Sequence, residues 1–146
     1  MSVDVTTSIT IARPVEVVAA YAIDPDNAPE WYENIEAVEW VTTPPLEEGS
    51  QVAFVARFLG RRLAYTYEFM DVRPGEQLIM RTAQGPFPME TTYTWSAPGP
   101  ALTLMTLRNR GEPAGFSKVT APIMASAMKR ANHKDLARLR SILEGR

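Results

Sequence analysis

The chain has 146 residues, a length that suits one domain with one hydrophobic core. Hydrophobic residues make up 45% of the sequence and charged residues 22%, which is typical of globular proteins and not of disordered ones. The absence of cysteine and the single histidine exclude disulfides, thiolate metal sites and multi-histidine metal sites. The formal net charge of -2 gives no support for binding nucleic acid or an anionic membrane. We therefore expect one domain over residues 1–146, with no metal, no cofactor and no nucleic acid partner.

The sequence carries no pattern of a targeting or membrane-spanning segment. Its first residues have neither a basic start nor an apolar run of signal-peptide length. The longest weakly charged stretch, residues 114–128, contains Lys118 and Pro122 and is therefore unsuited to cross a bilayer. We expect a cytoplasmic protein that does not insert into the membrane.

The first elements are a strand and two short helices. Residues 3–11 alternate between apolar and polar side chains, which predicts a half-buried strand. Pro14 ends this strand, because proline donates no ladder hydrogen bond but suits the first turn of a helix. The Asp-Pro-Asp-Asn run at residues 24–27 stops that helix, and Asp26 or Asn27 is placed to cap a second, short helix through Trp31 and Tyr32.

From residue 35 onwards the hydrophobic period becomes two, and turns rich in glycine and proline follow one another at short intervals. Short connections of this kind predict an antiparallel meander. The candidate strands are residues 35–42, 51–59, 62–72, 77–83, 88–96 and 101–110.

Turn positions predict how neighbouring strands pair. A two-residue turn at Gly60 and Arg61 places Leu59 opposite Arg62. This register puts the apolar and aromatic residues of both strands on one face, as a sheet with one buried side requires. That face holds Phe58, Ala56, Phe54 and Val52 opposite Leu63, Tyr65, Tyr67 and Phe69.

Two further turns extend the pairing. A four-residue turn at residues 73–76 places Met80 opposite Phe69 on the inner face. The same register places Arg81 opposite Glu68 on the outer face, where we expect a surface ion pair.

A four-residue loop at residues 97–100 sets the last hairpin of the meander. This loop places Tyr93 opposite Leu104 and Met89 opposite Arg108. Arg108 is then expected to point inward near the rim of the sheet.

A long helix is predicted from about Lys118 to Glu144, with Pro122 near its start and a glycine after its end. On a helical wheel one stripe is apolar, and His133 falls on the opposite, basic face. Asp135 falls inside the apolar stripe. The stripe also contains Met124, Met128, Ala131, Leu139 and Ile142. The concave face of the curved sheet is the only surface large enough to bury it.

This order of elements resembles a helix-grip fold. The segment from Ile11 to Tyr21, followed by the segment from Asp24 to Trp31, resembles the opening of START-like polyketide cyclase/dehydrase domains. These domains form the SRPBCC superfamily, which includes birch-pollen-allergen-like proteins. One departure is Gly99-Pro100, which stands where Gly-Thr usually enters the seventh strand. Further similar segments are residues 58–63, 65–69, 73–76, 111–116 and 135–144.

The resemblance covers nearly the whole chain and implies an α+β fold. In that fold a curved seven-stranded antiparallel sheet wraps around the long C-terminal helix, and two short helices follow strand 1. The resemblance does not specify a chemistry, because this fold hosts carriers, cyclases, hydroxylase subunits and stress proteins.

A cavity between sheet and helix is the expected ligand site. Inward phenols and indoles need hydrogen-bond partners, so they indicate polar contacts, water or a ligand inside, unless their hydroxyls reach the rim of the sheet. The methionines in the first turns of the helix suit varied ligands, but they also serve as ordinary gap-filling core residues. The candidate ligand-binding residues are Trp40, Phe54, Tyr65, Tyr67, Met80, Met89, Tyr93, Trp95, Arg108, Met124 and Met128.

Two charged residues are candidates for chemistry, because a buried charge must be paired or hydrogen-bonded. Arg108 is placed to bind a carboxylate or enolate, and Asp135 to transfer a proton with a raised pKa. The structural alternatives are that Asp135 accepts a hydrogen bond from a Trp or Tyr of the sheet and that Arg108 extends to solvent. Tyr93 is the third weak catalytic candidate.

Three functions follow in order of preference. The first is binding or transport of a small hydrophobic ligand that is aromatic, isoprenoid, lipid or polyketide-like. The second is a polyketide aromatase/cyclase or dehydratase, with Tyr65, Tyr67, Tyr93 and Arg108 as hydrogen-bond donors to the developing oxyanion. The third is a protein-interaction module anchored by exposed Trp31 and Tyr32. The expected oligomeric state is a monomer or a homodimer.

Overall fold

A computed structural model describes residues 3–58, 60–85, 88–112 and 121–146. Two short helices follow the first strand, and a long helix ends the chain. The strands are β1 (Val3–Ile11), β2 (Ile35–Trp40), β3 (Gln51–Phe58), β4 (Arg61–Arg73), β5 (Gln77–Gln84), β6 (Met89–Gly99) and β7 (Leu102–Gly111). The helices are α1 (Val15–Ile23), α2 (Ala28–Trp31) and α3 (Ala121–Glu144), with a 3-10 turn (Pro25–Asn27) between α1 and α2. The predicted start of the last helix, near Lys118, lies outside the described residues.

The seven strands form one antiparallel sheet in the order β1-β7-β6-β5-β4-β3-β2. This sheet curls into a half-barrel, and α3 packs across it, with β1 among its main contacts. The predicted α+β helix-grip fold is confirmed. Among the residues described, no helix combines the length and the apolar character needed to cross a lipid bilayer.

The turn between the short helices is held by side-chain hydrogen bonds. Asp24 Oδ1 accepts from the backbone N–H of Asp26 at 3.0 Å and so caps the 3-10 turn. Trp40 Nε1 on β2 donates to Asp26 Oδ1 at 2.9 Å, which ties the turn to the sheet. The chain then buries Trp31 completely and Tyr32 partly. The expectation that both side chains are exposed anchors is therefore wrong.

The register between β3 and β4 differs from the predicted one by two residues. Arg62 lies opposite Arg57, and Tyr65 lies opposite Phe54. Leu59, the predicted partner of Arg62, lies outside the described residues. Because side chains alternate with a period of two, an even shift leaves every residue on its predicted face. The inward side of both strands was therefore predicted correctly despite the wrong turn.

The predicted pairing of β4 with β5 is confirmed where Phe69 lies opposite Met80 and Glu68 opposite Arg81. The expected ion pair between Glu68 and Arg81 is wrong. Arg81 Nε instead donates to Glu90 Oε2 on the other neighbouring strand at 2.6 Å. Cross-strand neighbours lie on both sides of a central strand, so opposition alone does not decide which carboxylate an arginine binds.

The register between β6 and β7 differs from the predicted one by three residues. Tyr93 lies opposite Leu107, and Arg108 lies opposite Thr92. Strand β6 continues through a register shift between Ser96 and Gly99, which replaces the predicted four-residue loop. An odd shift turns each side chain of β7 to the other face while those of β6 keep their predicted face, so the inward position predicted for Arg108 is wrong.

Arg108 lies on the outer face of the sheet beside β1. Its Nε and Nη2 atoms donate to the two carboxylate oxygens of Asp4 at 2.9 Å and 2.7 Å. Both side chains are exposed, 44% for Arg108 and 48% for Asp4, so this is a surface ion pair.

The hydrophobic core divides into two clusters along α3. One cluster packs the C-terminal half of the helix, including Leu136 and Leu139, against the short helices and the middle of the sheet. The other packs Met124 and Met128 against β1 and β4. The candidate site lies where these clusters meet.

Candidate functional site

A cavity of about 160 Å³ lies between the concave face of the sheet and α3. Residues of both core clusters line it, because neither cluster fills the space at their junction. The lining residues are Tyr32, Asn34, Ile35, Phe54, Ala56, Arg57, Leu63, Tyr65, Tyr67, Met80, Met89, Thr91, Tyr93, Asn109, Met124, Met128, Ala131, Asn132 and Asp135.

Eight of the predicted ligand-binding residues line this cavity. They are Phe54, Tyr65, Tyr67, Met80, Met89, Tyr93, Met124 and Met128. The other three, Trp40, Trp95 and Arg108, are not among the lining residues. Trp40 is half-buried against the 3-10 turn, and Trp95 lies 95% buried in the larger core cluster. Trp95 is thus buried as predicted but outside the cavity, whereas Arg108 lies on the outer face because of the β6–β7 register.

Aromatic rings and methionines form the apolar part of the wall. Phe54 and Tyr67 contact edge to face with ring centroids 5.7 Å apart, and Tyr65 lies 6.0 Å from Tyr67. Met124 and Met128 on α3 pack in one cluster with Tyr65 and Tyr67. Thioether side chains adopt many conformations at low cost, so this wall can adapt to the shape of a bound molecule.

Two phenols meet at the sheet side of the cavity. The hydroxyls of Tyr32 and Tyr93 are 2.6 Å apart and share a hydrogen bond. Burial raises the pKa of both phenols well above the usual value, so both stay neutral at physiological pH. A pair of hydroxyls has two protons, and their mutual hydrogen bond uses one. The other proton remains available to donate to a third group.

A second polar pair spans β6 and β7. Thr91 Oγ1 donates to Asn109 Oδ1 at 2.8 Å. Burial raises the pKa of neighbouring Tyr67 to about 12, although a hydrogen bond with the side chain of Thr91 acts in the opposite direction. Tyr67 is therefore a third neutral phenol in the wall.

The helix side of the cavity carries Asn132 and Asp135. These residues are three apart on α3 and therefore share one face of the helix. Asn132 is 95% buried, and its Nδ2 has no hydrogen-bond partner among the described residues. Asp135 is 97% buried, and its Oδ1 accepts from the backbone N–H of Glu33 at 3.0 Å.

Desolvation dominates the electrostatics of Asp135. Burial raises the pKa of its carboxyl group from 3.8 to about 6, and the hydrogen bond from Glu33 opposes this rise. Asp135 is thus mostly ionised at pH 7 but takes up a proton under mildly acidic conditions. The sequence prediction of a raised pKa agrees with this value, whereas the hydrogen-bond donor is a backbone amide and not a Trp or Tyr of the sheet.

Positive charge is nearly absent from the cavity wall. Among the described lining residues, Arg57 is the only cation. Its side chain is 65% exposed and pairs with Glu36 on the outside. Within the described parts of the chain, no three His, Asp or Glu side chains converge as metal ligands do.

Sequence reasoning missed six polar residues of the wall, namely Tyr32, Asn34, Arg57, Thr91, Asn109 and Asn132. The helical wheel contains the signal for Asn132, which lies four residues after Met128 and three before Asp135. Thr91 has the same strand parity as Met89 and Tyr93. Asn109 turns inward only in the observed β7 register, and Tyr32 reaches the cavity only through the tertiary packing of α2.

The sequence matches the family described as polyketide cyclase / dehydrase and lipid transport over residues 2–144. A comparison with curated protein sequences finds no significant match.

Solved structures of similar shape come from several bacteria. A START superfamily protein from Mycobacterium smegmatis superposes with a TM-score of 0.84 at 17% identity, covering 97% of each chain. A Thermus thermophilus protein gives 0.83 at 18% identity, also covering 97% of each chain. The Zhui aromatase/cyclase of a Streptomyces species gives 0.83 at 16% identity and covers 99% of this chain and 94% of the other. At these identities the likeness shows a shared fold.

Proposed function

The chain belongs to the polyketide cyclase/dehydrase and lipid transport family, and we propose that it binds a small, mostly apolar ligand in the cavity between sheet and helix. The expected ligands are aromatic, isoprenoid, lipid or polyketide-like molecules. The protein acts in this proposal as a cytoplasmic carrier or binding protein, either a monomer or a homodimer.

Cavity size narrows the choice of ligand. An apolar protein cavity of roughly 150 Å³ holds a benzene molecule. The present cavity of about 160 Å³ therefore suits one aromatic ring or an isoprenoid unit of similar size. Larger molecules extend out of this space or displace the methionines in the wall.

The observation that carries the proposal is the unpartnered amide of Asn132 inside an otherwise aromatic and thioether wall. A buried amide without a partner costs about 1–3 kcal/mol, so a partner inside the cavity stabilises the protein. A ligand with an apolar body and one acceptor atom fills the apolar space and also accepts the hydrogen bond of the buried amide.

The test compares two substitutions of equal size. Ala56→Phe adds a ring to a residue that lines the cavity, whereas Ala64→Phe adds the same ring to an exposed residue of β4. We expect acetophenone to bind the wild type and Ala64→Phe in isothermal titration calorimetry, and to lose most of its affinity for Ala56→Phe. The absence of binding to the wild type, or equal binding to both variants, would contradict the proposal. Native mass spectrometry of the purified protein should also show a retained small molecule.

The second candidate function is an aromatase/cyclase or dehydratase acting on a cavity-bound polyketide. It is favoured by Asp135, a buried carboxylate with a pKa of about 6, because a base of this strength removes an acidic proton between two carbonyl groups near neutral pH. The Tyr32–Tyr93 pair then donates its one remaining phenolic proton in a hydrogen bond to the enolate oxygen, in place of Arg108, which lies on the outer face.

Turnover separates the two functions. If the protein is an enzyme, we expect it to convert a short poly-β-keto thioester. The Asp135→Asn variant should then lose this turnover but still bind acetophenone. A carrier predicts binding of the thioester without conversion. The control is Asp4→Asn, which removes a carboxylate from the outer face and should leave turnover unchanged.

A further inference from the structure

Two groups of hydrogen-bond donors line the cavity. Asn132 on α3 offers its unpartnered Nδ2–H groups, and the Tyr32–Tyr93 pair offers the one phenolic proton that their mutual hydrogen bond leaves over. Carbonyl and hydroxyl oxygens of a ligand accept hydrogen bonds from both. The wall therefore suits a ligand that carries a hydrogen-bond acceptor.

The negative charge of Asp135 disfavours binding of a ligand whose acceptor group is an anion. Asp135 lies on the same helix face as Asn132, one turn further along, and is 97% buried. Among the described lining residues, the only cation is Arg57, which is largely exposed and already paired with Glu36. A ligand carboxylate placed near Asn132 meets a buried negative charge, and no cation on the wall offsets it.

We infer that the wall formed by Asn132, Asp135, Tyr32 and Tyr93 selects neutral ligands with a carbonyl group and rejects carboxylates of the same size. This inference rests on the proposed binding function and specifies its ligand class. A free fatty acid or an aromatic acid is a poor ligand, whereas an aromatic ketone is a good one. A ligand hydroxyl next to the carbonyl adds a donor for Asp135.

Three probes of matched shape test the selectivity at pH 7.5. Acetophenone carries a neutral carbonyl, benzoate replaces its methyl group by a second oxygen and a negative charge, and α-methylstyrene replaces the carbonyl oxygen by CH₂. We expect acetophenone to bind about three- to tenfold more tightly than α-methylstyrene, the factor that one neutral hydrogen bond supplies. Benzoate should bind at least about tenfold more weakly than acetophenone.

Two variants test which residue causes the preference for the carbonyl group and which causes the rejection of the carboxylate. Asn132→Leu, similar in shape but without the amide, should abolish the preference for acetophenone over α-methylstyrene. Asp135→Asn should bring benzoate closer to acetophenone. The control His133→Leu changes an exposed residue of the same helix and should leave all three affinities unchanged.

The outcomes separate this inference from the proposed function. Equal affinity of the wild type for all three probes would overturn the selectivity and leave the binding function standing. Tighter binding of benzoate than of acetophenone would do the same. Failure of all three to bind would overturn both. The wild-type comparison alone decides between these results, so the inference stays testable even when a variant does not fold.

Discussion

Replacing Asp135 by Asn should change how the unfolding free energy depends on pH. Burial raises the pKa of Asp135 from 3.8 in the unfolded chain to about 6, so the native protein binds this proton more tightly. The stability that the proton contributes is fully present below about pH 4 and is lost as the pH rises through about 6. One pKa unit is worth 1.36 kcal/mol, so the loss at neutral pH is about 3 kcal/mol.

The Asp135→Asn variant has no titrating proton here but keeps an oxygen for the N–H of Glu33. In urea titrations followed by circular dichroism, its unfolding free energy relative to the wild type should rise by about 2–3 kcal/mol between pH 4 and pH 7.5. The control Asp4→Asn should show almost no change over this range, because the hydrogen bond from Arg108 lowers the pKa of Asp4 and so confines its titration to pH values below about 4. A pH-independent difference for Asp135→Asn would refute the reasoning.

Three further substitutions have distinct expected results. Tyr93→Phe removes the hydroxyl bonded to Tyr32 and should lower the unfolding free energy by about 1 kcal/mol in urea titrations, an effect that vanishes in a Tyr32→Phe background. Met128→Ala enlarges the cavity, should lower the unfolding free energy by about 2–5 kcal/mol, and should bind 2-acetylnaphthalene more tightly than the wild type does by calorimetry. Arg108→Ala should leave the calorimetric affinity for acetophenone unchanged, and a tenfold loss would contradict its outer position.

The inner and outer faces of the central strands were predictable from the sequence, but their registers were not. Alternation fixes parity, and parity survives the two-residue shift between β3 and β4, so Phe54 and Tyr65 still face inward. The irregularity between Ser96 and Gly99 shifts β7 by an odd number and turns Arg108 outward. The local pattern of apolar residues does not predict that irregularity, because the turn residues Pro98 to Pro100 permit loops of several lengths.

The candidate site also has one part that the sequence predicts and one part that it does not. The apolar wall follows from parity and the helical wheel, which placed Tyr93, Met124 and Met128 where they lie. The polar wall depends on tertiary contacts between distant segments, such as the hydrogen bond between Tyr32 and Tyr93. Asp135 was recognised because a charge within an apolar stripe conflicts with its surroundings, whereas an asparagine in the same stripe draws less attention.

Methionine-methyl NMR tests the central claim most directly, because methionines lie both inside and outside the cavity. Four of the seven methionines line it, whereas Met70 is exposed and Met105 is buried elsewhere in the core. Titration of ¹³C-methyl-labelled protein with acetophenone should shift the methyl signals of Met80, Met89, Met124 and Met128 and leave those of Met70 and Met105 in place. Unchanged cavity methyls, or equal shifts at Met70, would show that the molecule does not bind between the sheet and its terminal helix.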